Sequence, residues 1–295
     1  MVMILGKPLI LLYGQVTLGL INGAFYALLS LGLAVIFGLL NIINFTHGAL
    51  FMLGAFVTWG LLQYAGIGYW PSLILAPIII GLLGVLLERL LIKRIAGLDH
   101  LYGLLLTFGC SLIIEGLMRN RFGSSGVPYA IPEVLQGPLN LGFMVLPRYR
   151  AWVVVAAFVM CLATWLLIER TRLGALLRAA TENAPLVRAF GVNVPRLVTL
   201  TYAFGVALAA FAGVLAAPMN SVNPNMGSNL IVVVFAVVVI GGMGSILGSI
   251  LTGFGLGIIE GLTKVYYPEG SATVIFVVMA IVLLLRPAGL FGKAA

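Results

Sequence analysis

Eight carboxylates, two histidines and two cysteines are the acid, imidazole and thiol groups that this 295-residue chain offers for acid–base or metal chemistry. They are scattered. His47 lies in Asn41-Ile42-Ile43-Asn44-Phe45-Thr46-His47-Gly48 and His100 in a polar connection, and neither has carboxylates or thiols at metal-ligand spacing, so no metal site is expected. No paired-carboxylate, HExxH, G-x-S-x-G or phosphate-binding P-loop pattern occurs, which argues against an enzyme, a cofactor or a built-in ATPase. Glu115 and Arg119 are four residues apart with the acid first, as are Glu260 and Lys264, and both read as local ion pairs at span ends. Glu88 adjoins Arg89 at another span end, and no unpaired acid is expected at mid-span, where ion-coupled carriers keep one.

Two polar clusters remain. In the first, Asn41, Asn44, Thr46 and His47 must bond to one another, to backbone or to water if they lie in hydrocarbon. Upstream, Gln15, Asn22, Tyr26 and Ser30 follow i, i+7, i+11, i+15 and so share one helix face. The cluster reads either as part of a polar path, with these four residues lining or shaping it, or as a turn between two spans with asparagine as a helix cap. His47 is expected to act as a hydrogen-bonding member of that turn rather than as a proton relay.

The second is Glu169–Arg196, with Arg170, Arg172, Arg178, Arg188 and Arg196 in a chain of which 8% is charged. Leu173, Leu176, Leu177 and Ala180 fall at i, i+3, i+4, i+7 and predict one apolar face on a short helix. Thr181-Glu182-Asn183-Ala184-Pro185 should interrupt that helix, because the residue before a proline avoids the α region while proline suits a first helical turn. A second short helix over Pro185–Phe190 should stop at Gly191, and Pro195 should open the next span. The plain alternative is a solvated basic loop held on the cytoplasmic side by its arginines.

The elements carrying these clusters are set by composition. With 62% hydrophobic residues, apolar runs recur along the whole chain, so the fold class is all-α: a polytopic helical membrane protein forming one transmembrane domain over residues 1–295. About eight spans are expected, over Leu9–Leu40, Thr46–Leu62, Trp70–Leu87, Leu101–Met118, Ala151–Ile168, Leu197–Pro218, Leu230–Leu262 and Thr273–Leu285. The first, at about 48 Å if straight, exceeds a core of about 30 Å and should tilt, break or re-enter. The seventh has the same excess and should break at Gly241-Gly242-Met243-Gly244-Ser245. The net charge of +8 sits at span ends and loops, as the positive-inside bias requires, so the partner is a lipid bilayer and not nucleic acid. Cys110 and Cys161 lie inside apolar runs and imply no disulfide. The run after Lys7 lacks a cleavage site and reads as a retained span.

Arg89, Lys93 and Arg94 share a membrane side with Glu169–Arg196, assigned to the cytoplasm; the Arg119–Arg150 connection, with four arginines, is then an outward-facing exception. If the seventh segment crosses on both sides of its glycines, the favoured reading, the C-terminus is cytoplasmic as well. Gly19, Gly23 and Ala27, and again Gly253 and Gly257, form small-residue rows suited to close helix packing.

Several of these residues together resemble a known family. Gly23…Tyr26-Ala27-Leu28…Leu31-Gly32…Ile36-Phe37-Gly38…Asn41…Asn44-Phe45…His47-Gly48, Arg178-Ala179…Glu182…Ala189-Phe190-Gly191-Val192, Phe204-Gly205…Leu208-Ala209…Ala212-Gly213-Val214-Leu215, Gly241-Gly242-Met243-Gly244-Ser245…Gly248 and Arg286-Pro287…Gly289-Leu290-Phe291-Gly292 are similar to permeases of the branched-chain amino acid ABC importers, the LivH-type member most of all. The resemblance implies a bacterial inner-membrane subunit. It further implies a second related permease, two ATP-binding cassette ATPase subunits and a periplasmic substrate-binding protein. It makes Glu169–Arg196 the cytoplasmic coupling loop, with Arg178, Glu182, Ala184, Pro185, Arg188 and Gly191 as its candidate residues, although the Glu-Ala-Ala-x3-Gly spacing of other importers is not kept. Urea permeases and aromatic-acid or amide permeases are the nearest alternatives, and a secondary carrier the more distant one.

Overall fold

The computed structural model describes residues 3–4, 7–40, 42–95 and 97–292. Hydrocarbon offers backbone groups no partner, and helices satisfy them segment by segment. The chain runs α1 (Leu9–Leu40), α2 (Thr46–Ala65), α3 (Tyr69–Leu87), α4 (His100–Phe122), α5 (Arg148–Arg170), α6 (Arg172–Glu182), α7 (Ala184–Ala189), α8 (Val194–Ala216), α9 (Met226–Gly241), α10 (Ile246–Tyr266) and α11 (Val274–Leu285). Among the described residues seven of these, α1 to α5, α8 and α10, are long and apolar enough to cross a membrane, and α9 and α11 are shorter apolar helices. Among the described residues strand is confined to two short antiparallel pairs, β1 (Met3–Ile4) with β2 (Lys7–Pro8) and β3 (Pro138–Asn140) with β4 (Val145–Pro147), the latter pairing Leu139 with Leu146.

Of the tilt, break or re-entry expected of the first segment, a break within the helix does not occur. α1 is one unbroken helix of 32 residues, because nothing between Leu9 and Leu40 removes a backbone bond or forces a left-handed residue. The chain leaves the helix only after it, at Ile42–Phe45. The seventh segment does break where its glycines predict. α9 ends at Gly241, Gly242 and Gly244 take positive φ (+97° and +83°), and Ser245 caps α10 by accepting the Gly248 amide at 3.1 Å.

Two compact units make up the chain. The first comprises residues 1–30, 131–161 and 233–295. Here the two small-residue rows prove to be each other's partners: a methyl added at Gly19 or Gly23 would strike the backbone of Gly257 or Phe254, and one added at Gly253 would strike Ala27. The C-terminal segment folds back on the α9–α10 break. The Leu290 amide donates to the Ile240 carbonyl (2.8 Å) and the Phe291 amide to the Gly241 carbonyl (3.2 Å), satisfying two of the acceptors that the end of α9 leaves open.

The second unit comprises residues 31–130 and 162–232, with α8 packed along α2 and α3. Its core gathers Ile36, Ile42, Leu50, Ile80, Ile92, Tyr202, Val206 and Ala210. α3 does not stop at Leu87: Glu88–Ile92 form a π-helical turn and Lys93–Ile95 a last α turn. Such a turn admits an extra residue into the helix and commonly accompanies a functional position. The connection after α4 is tied down by a single bridge between Val127 and Val222. Tyr129 lies within that connection; its burial, and then Tyr69, push its phenol up to about 12.

Candidate functional site

The arginine-rich segment folds as its punctuation predicts. α6 ends at Glu182; Asn183 caps α7 through its side-chain oxygen, which accepts the Leu186 amide at 3.0 Å, with Pro185 in the first turn. Gly191, at φ +84°, lets the chain turn back, and Asn193 caps α8 by accepting the Arg196 amide at 3.1 Å, with Pro195 in that first turn. The segment is therefore two short helices, the second capped by Asn183, leading directly into a span capped by Asn193.

Its packing differs in detail from the expected face. Leu177 and Ala180 are buried with Val187, Val194 and Leu197 in one small core, so α6, α7 and the first turns of α8 form a single body. Leu173 and Leu176, however, are exposed, and Gly174 replaces them on the inner face. The reason lies in the α5–α6 turn: α6 crosses so close to Ile168 that any side chain at position 174 would collide with the Ile168 carbonyl. Arg178 fastens the same turn, donating from Nη1 to the Ile168 carbonyl (2.9 Å) and to Glu169 (3.3 Å). Its role is thus local bracing as well as charge. Arg188 and Glu182 lie on the outside, with Ala184 half-buried and Pro185 exposed. Two apolar side chains are presented outward beside them, Leu186 at 53% and Phe190 at 78% exposure.

The Asn44–His47 cluster forms a buried knot. Asn41 lies outside the described residues. Asn44, Thr46 and His47 are all buried. Asn44 Nδ2 donates to the Tyr202 hydroxyl on α8 (3.1 Å), and Thr46 Oγ1 donates to the Thr107 carbonyl on α4 (2.7 Å). Thr107 reciprocates, its hydroxyl accepting the Phe45 amide (3.2 Å) and donating to the Ile43 carbonyl (3.1 Å). Asparagine is not the α2 cap; that position is Phe45, and the Asn44 carbonyl accepts the His47 amide instead. His47 lies against Gly32 of α1, where a methyl would touch its ring and the Gly205 carbonyl of α8.

Sequence reading missed the partners Thr107, Thr199 and Tyr202, each a polar group in an otherwise apolar run, which is the signal that could have found them. Two acids also differ from expectation. Glu88, buried at the start of the π-helical turn, accepts a 2.7 Å bond from Thr199 of α8. Glu115 is buried and accepts from Ser111 (3.4 Å), while Arg119 donates to Asn225 (2.6 Å) rather than pairing with it. Glu260 does pair with Lys264 (2.6 Å), and it also accepts from Tyr26 (2.8 Å) and Asn22 (3.5 Å) of α1, which explains the polar stripe there. The stripe ends at Ser30, whose hydroxyl donates to the Ser249 carbonyl. Among the described residues no group of three or more histidine, cysteine or acidic side chains could hold a metal ion.

Residues 15–285, covering both clusters, match the family described as the permease component of branched-chain amino acid transport systems. The chain belongs to that family. It is 30% identical over 292 residues, 95% of each chain, to the high-affinity branched-chain amino acid transport system permease protein BraD of Pseudomonas aeruginosa. It is 30% identical to the corresponding protein LivH of Escherichia coli K12, over 93% of this chain and 94% of that one. The permease protein LivM of Salmonella typhimurium matches at 27%, over 90% of this chain and 67% of its own. No solved structure matches the chain. As a transport permease with seven helices of spanning length, this is an all-α, multi-pass membrane protein, and the exposed leucines, isoleucines and valines of α3, α4 and α5 are where such a protein meets lipid or neighbouring subunits.

Proposed function

We propose that this permease is one membrane half of an ATP-driven importer of branched-chain amino acids in the bacterial inner membrane, with Glu169–Arg196 as the cytoplasmic element that docks on an ATPase subunit. The observation that carries the reading is the form of that segment: an internally packed helical stub at the start of a span that presents Leu186 and Phe190 outward with Arg188 exposed between them in sequence. An exposed aromatic and leucine framed by charge is the composition of an interface anchor, not of a solvated loop. Likeness to both BraD or LivH and LivM supports pairing with a second, related permease, and the same reading brings in two ATPase subunits and a periplasmic binding protein. Asn44, Thr46 and His47 act as path-shaping residues, since they fix the bend between α1 and α2. The fold-back of the C-terminal segment onto the α9–α10 break supports a cytoplasmic C-terminus, with α10 leading out and α11 returning.

Co-expression of this chain with its operon neighbours tests the proposal. The expected result is a co-purifying ATPase, ATP hydrolysis stimulated by the binding protein, and ATP-dependent uptake of labelled leucine, isoleucine or valine into proteoliposomes. Stimulated uptake of urea or an aromatic acid instead would assign the chain to those permeases. Buried Glu88 and Glu115, neither in an ion pair among the described residues, are the feature that an ion-coupled carrier would use. Solute uptake by the chain alone under an ion gradient would establish that second reading and refute the first.

A further inference from the structure

Energy delivered to the docking segment has to reach the bend that shapes the path, and one helix joins the two. α6, α7 and the first turns of α8 share a core through Leu177, Val187, Val194 and Leu197, so a displacement of the segment displaces the start of α8. Two residues beyond Leu197, Thr199 is hydrogen-bonded to buried Glu88 at the start of the π-helical turn (2.7 Å). A turn further on, the Tyr202 hydroxyl holds Asn44 in the bend (3.1 Å). Tyr202 is 1% exposed and packs with Ile42, also of the bend, in the core of the second unit. Three features that share no sequence neighbourhood therefore converge on six residues of α8.

Each contact is of a kind that transmits motion. The Glu88 carboxylate is buried, and its hydroxyl partner sits on the moving helix, so letting go of it leaves a charge or acid group without a donor. The π-helical turn that begins at Glu88 is of a kind frequent at functional positions. The Asn44 amide uses its donor on Tyr202, while its Oδ1 has no hydrogen-bond partner among the described residues, so the amide has an unused acceptor to engage in another arrangement.

We propose that Glu88, Thr199, Tyr202 and Asn44 are the positioning residues that couple the docking segment to the α1–α2 bend. Thr199→Glu88 is the fixed clasp and Tyr202–Asn44 the follower. This rests on the docking role of Glu169–Arg196 given above. The coupling runs through α8 and requires no charge to move across the membrane.

The test uses the whole importer complex in proteoliposomes, in a background with Cys110 and Cys161 replaced, and two single-cysteine reporters, Ile43→Cys at the bend and Ala189→Cys at an exposed position of the segment that leaves Phe190 in place. Maleimide labelling is followed with and without ATP and vanadate. Both reporters are expected to change labelling rate several-fold on nucleotide trapping in the otherwise unaltered chain. With Thr199→Val or Tyr202→Phe added, the Ala189→Cys response is expected to persist and the Ile43→Cys response to vanish, with Thr199→Ser restoring it. A role in folding alone would diminish both responses and the yield together, and would overturn the proposal, as would an Ile43→Cys response that survives both variants. Should the parent Ala189→Cys complex show no nucleotide response or no bound ATPase, the docking assignment itself has failed, a result distinct from failure of the relay.

Discussion

Phe190, 78% exposed, is the most exposed large hydrophobic side chain of the proposed docking segment. Its replacement by aspartate should leave expression and thermal stability within about 0.5 kcal/mol, as exposed positions do, and should abolish ATPase co-purification. Arg178 makes a poorer probe than its charge suggests. Its pair with Glu169 is exposed on both sides and worth about 0.2–1 kcal/mol, yet its bond to the Ile168 carbonyl braces the α5–α6 turn, so reversing its charge would disturb folding and docking together. Gly174 should be the opposite of Phe190: Gly174→Ala forces α6 away from Ile168 at a cost of about 1–3 kcal/mol, visible as a lower melting temperature in detergent. In the first unit, Tyr26→Phe removes one charge-directed hydrogen bond from Glu260, worth about 1.5–3 kcal/mol, and the same melting assay should register it.

At the level of elements, helix ends were the most legible part of the sequence. Pro185, Gly191 and Pro195 act through their own backbone dihedrals, so their effect on α7 and α8 needs no knowledge of the fold. The glycines of the α9–α10 break were readable for the same reason. What could not be read was pairing across distance. Asn44 and Tyr202 are 158 residues apart and Tyr26 and Glu260 are 234 apart, and no local pattern selects one polar residue of an apolar span over another. The i, i+4 spacing of Glu115 and Arg119 pointed to a pair that tertiary structure overrode, because Asn225 offers the guanidinium a partner on another segment. Similarly, the apolar period of α6 was right in kind and rotated in phase, since a close crossing of α5 demanded glycine on the inner face. The C-terminal segment gives this level its prediction. Truncation after Leu285 removes the donors to the Ile240 and Gly241 carbonyls and should expose the α9–α10 break to proteolysis near Gly242, detectable as a fragment ending there.

For the whole molecule, composition alone indicated a helical membrane protein, and polar residues hold the α1–α2 bend and the α5–α6 turn. The docking role proposed for the Glu169–Arg196 stub has, in Phe190, a residue to test. The most direct measurement is photo-crosslinking from p-benzoylphenylalanine placed at Phe190, in native membranes expressing the full complement of subunits. A crosslink from position 190 to an ATPase subunit, weakened or shifted on nucleotide trapping, is the expected result. A crosslink to lipid or to a periplasmic protein, with none to an ATPase, would contradict the assignment of Glu169–Arg196 as the coupling element.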